Sequence, residues 1–192
     1  MEYILASASP RRKELLAMLD VPFSIVPAVG EESLPAALPA SQAAEFLAVQ
    51  KTAEVAKAYP DTIVIGADTT VLLDEEILGK PKSKAECIEM LGKLSGRQHT
   101  VQTGVALFYG GKSLSFTDET QVQFYPLSAA EIEAYADTDE PYDKAGGYGI
   151  QGKAALLIAG IHGDYYNVMG LPIARLARQL RAAKALWGLA DN

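Results

Sequence analysis

Apolar and polar positions alternate in two rhythms along the chain. The first half mixes short apolar runs with helical spacing. Tyr3–Ala6 reads as a strand. Ser9 then offers an N-cap with Pro10 at the first helical position, where its missing N–H costs little. Leu15, Leu16 and Leu19 follow at helical spacing until Asp20-Val21-Pro22 closes the segment, and Phe23–Val26 reads as a second strand. Gly30 to Ala40, with Pro35 and Pro39, is a predicted loop before a helix from about Ser41 to Ala58. Thr62–Ile65 and Thr70–Leu73 are β-rich runs, with Gly66-Ala67-Asp68 between them as turn formers and Asp68 at a strand end.

The second half is richer in hairpins. Asp74-Glu75-Glu76 turns the chain, and Ser83-Lys84-Ala85-Glu86 matches a capping box opening a helix to about Ser95-Gly96. Thr100–Tyr109 and Ser113–Phe124 are predicted antiparallel strands joined at Gly110-Gly111. Ser128-Ala129-Ala130-Glu131 is a second capping box before a helix to about Ala136. Leu156–Ile161 reads as a late strand with His162-Gly163-Asp164 as its turn, and Ile173, Leu176, Ala177, Leu180, Ala183 and Leu186 mark a final amphipathic helix. An α/β fold with a mixed rather than purely parallel sheet follows.

Composition narrows the class. A chain of 192 residues can bury a real core as one domain, with two lobes at most. No apolar run approaches the roughly 18 residues of a membrane span. The opening Met1-Glu2-Tyr3-Ile4-Leu5 lacks the basic segment and long apolar stretch of a signal peptide. One cysteine, Cys87, excludes an internal disulfide and points to a reducing compartment, so a cytoplasmic protein is expected. A net charge of −7 argues against wrapping duplex nucleic acid. It says nothing against a small anion met by locally gathered cations.

Four segments carry candidate chemistry. Ser7-Ala8-Ser9-Pro10-Arg11-Arg12 leads from a strand into a helix N-terminus bearing two arginines, a setting that favours phosphate oxygens; a plain cap with solvated arginines is the alternative. Gly66-Ala67-Asp68-Thr69 sets an acid near a strand end, where α/β sheets bind ligands, or else is an ordinary turn. Glu31-Glu32, Lys51 and Lys80 supply carboxylates for a divalent metal and cations for phosphate, at spacings that are not diagnostic. Positions 147 to 152 satisfy G-x-G-x-x-G, but no strand leads in and no helix follows, which rejects a dinucleotide fold. The glycines there still imply tight turns or close backbone approach. No phosphate-binding P-loop and no nucleophile elbow are present, His99 and His162 lie outside any metal-binding spacing, and Cys87 reads as a small buried hydrophobe.

Together these segments resemble the Maf family of nucleoside triphosphate pyrophosphatases. The resemblance runs in order through Leu5-Ala6-Ser7-Ala8-Ser9-Pro10-Arg11-Arg12, Gly66-Ala67-Asp68-Thr69, Gly79-Lys80-Pro81 and Leu94-Ser95-Gly96. It continues through Asp143-Lys144-Ala145-Gly146 and Gly149-Ile150-Gln151-Gly152 to Gly170-Leu171-Pro172, nearly the whole chain. It implies a Maf/Ham1-like α/β fold. In that fold a mixed, largely antiparallel-centred twisted sheet is flanked by helices, in one domain over 1–192 with two lobes around a central cleft. It also implies hydrolysis between the α- and β-phosphates with a divalent cation, Mg²⁺, Mn²⁺ or Co²⁺. By resemblance Asp68 is the general base. Ser7, Arg12, Lys51 and Lys80 meet phosphates, and Glu32, rather than Glu31, joins Asp68 in holding metal. Arg11, Thr69 and Gln151 match the branch acting on dTTP and UTP. The alternatives are the 7-methyl-GTP branch and a non-enzymatic role in inhibiting septum formation through a binding partner. The resemblance also allows a homodimer.

Overall fold

The computed structural model describes residues 2–189. Strand β1 (Tyr3–Leu5) leads into helix α1 (Pro10–Ala17), where Ser9 sits in extended backbone and its Oγ accepts the Arg12 N–H, with Pro10 in the first turn. Strand β2 (Phe23–Ile25) follows, then an irregular loop, a 3-10 turn at Ala40–Gln42 and helix α2 (Ala43–Ala56). Strand β3 (Ile63–Leu73) makes a tight hairpin with β4 (Glu76–Leu78) through Asp74, which adopts positive φ. Helix α3 (Lys84–Leu94) precedes the two long strands β5 (Gln98–Tyr109) and β6 (Lys112–Phe124), joined across Gly110-Gly111. A two-residue connection between sheet neighbours makes that pair antiparallel. Helix α4 (Ala129–Ala136), strand β7 (Ile158–His162), the short helix α5 (Tyr165–Met169) and helix α6 (Ile173–Trp187) complete the order.

The seven strands form one sheet in the order β2-β1-β3-β5-β6-β7, with β4 attached to β3. Strand β1 runs parallel to both β2 and β3, and β7 runs antiparallel to β6. The sheet is therefore mixed, as the alternation of helices and hairpins predicts. Among the described residues no helix is long and apolar enough to cross a membrane.

Three sequence expectations change. The two runs flanking Gly66-Ala67-Asp68 are one continuous strand, so Asp68 lies inside β3 and not at its end. Gly66 is no turn residue. A Cβ there would lie 2.0 Å from Thr52 Oγ1 of α2, so its missing side chain lets helix and strand approach closely. The first capping box is half formed. Ser83 Oγ accepts the Glu86 N–H, but the Glu86 carboxylate takes the Lys82 N–H instead of that of Ser83. The box at Ser128 and Glu131 forms in full. The late strand starts two residues after Leu156, because Gly152–Leu156 closes into a 3-10 helix first.

The chain divides into two compact units. The first comprises Met1–Asp68, Thr103–Asp118 and Gly170–Asn192. Ile4, Ala6, Val55 and Val64 form an apolar cluster within it, where α2 covers β1 and β3. The second comprises Thr69–Gln102 and Glu119–Met169. Its core joins Val71, Leu91, Leu94, Val122, Phe124 and Tyr135, with Cys87 fully buried among them.

Candidate active site

In the first unit, α1, α2 and β3, with the turn after β1 and the loop before α2, bring Ser7, Arg11, Arg12, Glu32, Lys51 and Asp68 together. Ser7, two residues past the end of β1, is 8% exposed. Its Oγ accepts the Ser9 N–H (3.2 Å) and an N–H from the Arg12 guanidinium (3.3 Å), leaving the hydroxyl proton free to donate outward. Arg12 is fixed further by Nε, which donates to the Gly170 carbonyl at 2.8 Å. The Gly170-Leu171-Pro172 motif thus braces an arginine 158 positions earlier. Burial pushes the Arg12 guanidinium below its ordinary range, and the neighbouring charge of Arg11 adds to this, while Asp68 and Glu32 oppose it. Arginine stays charged throughout the accessible pH range. Arg11 is half-buried beside it at the start of α1.

Lys51 of α2 ties the acidic residues. Its Nζ lies 2.5 Å from Asp68 Oδ1 and 2.8 Å from Glu32 Oε1. Asp68 is 9% exposed, so a cation beside it offsets the cost of burying its charge. Glu32 comes from the irregular loop and is largely exposed. Two turns of α2 hold that loop in place. Glu54, three residues beyond Lys51, accepts the Val29 N–H (2.9 Å) and the Gly30 N–H (3.2 Å) on Oε1, and Gly30 again on Oε2 (3.1 Å). Gln50 Nε2 reaches the Glu31 carbonyl at 3.5 Å. A side chain at Gly30 would meet Glu54 Oε2 at 2.6 Å, so the Glu54 carboxylate would have to move off the loop to admit it. Glu54 escapes sequence reading because its partners are backbone groups about two dozen positions away. The one available signal is that it shares a helix face with Lys51 at i+3.

The converging carboxylates bear on the divalent cation that the resemblance implies. Glu32 and Asp68 direct oxygens at a single positive centre, now the Lys51 ammonium. Two carboxylates, with water and phosphate oxygens completing the shell, are a donor set that suits Mg²⁺ or Mn²⁺. Among the described residues no group of three or more His, Cys, Asp or Glu is placed to hold a metal. The residues fit a cation shared with its substrate better than a closed protein cage.

The second unit contains Thr69, Lys80 and Gln151. Thr69 follows Asp68 in β3 and is half-buried. Lys80 is exposed, after Gly79, whose carbonyl accepts the Gly146 N–H at 2.9 Å. Gln151 is exposed, next to buried Ile150 and followed by exposed Gly152. Beneath this segment Tyr148 is buried, its hydroxyl 2.6 Å from His99 Nε2, and both rings pack edge-on against Phe124. Burial holds the His99 imidazole down to about 4 and pushes the Tyr148 phenol up, so both are neutral at pH 7. The dipeptide Gly146-Gly147 adopts positive φ, consistent with the tight turns expected of this glycine-rich run.

Known proteins resemble this chain in sequence and in fold. Residues 2–183 match the family described as Maf-like protein. A dTTP/UTP pyrophosphatase of Bacillus cytotoxicus is 51% identical over 180 residues, covering 94% of each chain. One from Symbiobacterium thermophilum is 53% identical, covering 93% of this chain and 92% of its own. The solved structure of a HAM1 protein from Coxiella burnetii superposes with a TM-score of 0.59 over 95% of this chain and 99% of its own, at 15% identity, a likeness of fold.

Proposed function

Because the chain belongs to the Maf family, we propose that it hydrolyses dTTP and UTP between the α- and β-phosphates. The products are the nucleoside monophosphate and pyrophosphate, and the role is clearance of nucleotides from the pool. The observation that carries this reading is the convergence of Glu32, Lys51 and Asp68 on one point, in the same unit as Ser7 and Arg12. Such a set brings together the proton acceptor and the phosphate-binding cations that the reaction needs.

Asp68 is the general base, taking a proton from the water that attacks the α-phosphorus. Its neighbour Lys51 holds it in place and adds positive charge where the phosphates gather. Ser7 donates its free hydroxyl proton to a phosphate oxygen. Arg12, fixed by Gly170, presents planar donors to the leaving pyrophosphate, and Lys80 adds a second cation by its motif position. Glu32 and Asp68 would hold a divalent cation, Mg²⁺, Mn²⁺ or Co²⁺. Such an ion, when bound, neutralises phosphate charge and polarises the phosphoryl oxygens.

Arg11, Thr69 and Gln151 are assigned to substrate choice by the same motifs. The Gln151 carboxamide can donate and accept at once, which suits the adjacent carbonyl and N–H of uracil or thymine. A 5-methyl group changes binding by only about 1–3 kcal/mol, so both bases are accepted. This reading treats residues 1–192 as a single domain. A homodimer is compatible with this reading. The lone thiol of Cys87, buried in α3, is consistent with action in the cytoplasm.

The test is Asp68→Asn, which keeps shape and removes basicity. Turnover falls by about 10²–10⁴-fold while nucleotide binding persists. Near-normal turnover would remove Asp68 from its role.

A further inference from the structure

The segment bearing Gln151 is gripped on both sides, and the grip converges on one carboxylate. Glu140, just before the Pro141–Asp143 turn, accepts the Lys153 N–H on both oxygens, each at 3.0 Å. Between them Gly152 adopts φ +74°, and a Cβ there would lie 2.8 Å from each Glu140 oxygen. The carbonyl of Glu140 accepts from Lys144 Nζ (2.6 Å), which also reaches Asp143 Oδ1 at 2.5 Å. With its head so fixed, the Lys144 stem lies across Gly149, where a Cβ would meet its Cδ and Cε at 2.8 Å. Glu140 therefore anchors the residue two after Gln151 directly and the residue two before it through Lys144. In between, Ile150 is buried and Gln151 is exposed.

We infer that Glu140 is a positioning residue for nucleotide binding, acting through Gln151. An exposed glutamine on an untethered loop would lose conformational freedom at each binding event, and the anchor removes that cost beforehand. Glu140 touches neither water nor phosphate in this scheme, so its loss weakens binding of the nucleotide and leaves the chemical step alone. The inference rests on the assignment of Gln151 to the base.

The experiment is a double-variant cycle on the full chain with dTTP and UTP, reading KM and kcat separately. Gln151→Ala raises KM about tenfold with kcat held within about twofold. Glu140→Ala raises KM by a similar factor, and the double variant is no worse than Gln151→Ala alone, because the anchor has nothing left to place. Glu140→Gln keeps an acceptor for the Lys153 N–H and restores KM towards the starting value. Should Glu140→Ala fold poorly, Glu140→Asp draws the carboxylate back from the Lys153 N–H and shifts KM the same way. An unchanged KM in Gln151→Ala overturns the base assignment and this inference with it. A raised KM in Gln151→Ala, with Glu140→Ala either unchanged or strictly additive, overturns the role of Glu140 alone.

Discussion

Replacing Gly66 with alanine adds one methyl group at the point where α2 rests on β3. The new Cβ would lie 2.0 Å from Thr52 Oγ1, 3.1 Å from Thr52 Cβ and 3.5 Å from Thr52 Cα. The first contact is roughly 1.5 Å inside ordinary contact. Thr52 is fully buried and its hydroxyl donates to the Ala48 carbonyl at 2.5 Å. Turning that side chain away breaks the hydrogen bond and swings its methyl group through a fully buried site, and Thr52 Cβ still stands 3.1 Å from the new methyl. Relief therefore comes from repacking Thr52 or from shifting the helix off the strand. Overpacking of this kind costs about 1–3 kcal/mol, which lowers Tm by roughly 2–12 °C in a chain of this length. Activity suffers as well, because Lys51 sits next to Thr52 on the helix and Asp68 lies two residues past Gly66 on the strand. A displacement near 1 Å between groups 2.5 Å apart can cost up to about a hundredfold in turnover. Thermal melting and turnover measured well below Tm separate the two losses. Adding Thr52→Ala to Gly66→Ala removes the closest contact and recovers part of both. A Gly66→Ala protein with unaltered Tm and turnover would refute the close-approach argument.

Other expectations follow from the same contacts. Glu54→Ala frees the Val29 and Gly30 N–H groups and loosens the loop bearing Glu32, so the Mn²⁺ concentration for half-maximal turnover rises several-fold, about 0.5–1.5 kcal/mol. Glu54→Gln stays close to the starting protein, since one oxygen accepts both N–H groups, and an unchanged metal requirement in the alanine variant contradicts the loop role. His99 titrates near 4 in the fold against an ordinary 6.5, so the unfolded chain takes up a proton that the fold excludes. Its contribution is complete above about pH 6.5 and is lost as pH falls towards 4, a change of about 3 kcal/mol. Urea unfolding from pH 7 to 4 shows this component in the starting protein and not in His99→Gln; parallel curves for the two reject it.

Local chemistry made much of the fold legible. Ser9-Pro10 marks the start of α1, Gly110-Gly111 joins two long strands, and the Ser128–Glu131 box forms as read, because each depends on groups within a few residues. Gly66 was misleading for the opposite reason. Its role is set by Thr52, fourteen positions earlier and on a different element, and without that neighbour a Gly-Ala-Asp run looks like a turn. Arg12 and Lys51 could be named as candidate cations, but no pattern could show that Gly170 braces one or that the other joins Glu32 to Asp68. Glu140 was invisible because its working partner is a backbone N–H whose exposure depends on the left-handed turn at Gly152. Helix α5 was missed too. At five residues it carries too few apolar positions to show a period.

The central claim is the bond that breaks. The decisive measurement is product analysis by phosphorus NMR, with dTTP, UTP, CTP, GTP and 7-methyl-GTP offered separately in the presence of Mg²⁺, Mn²⁺ or Co²⁺. The expected result is turnover of dTTP and UTP ahead of the others, giving nucleoside monophosphate and pyrophosphate in equal amounts. Orthophosphate with a nucleoside diphosphate as co-product, or a preference for 7-methyl-GTP, would contradict the account.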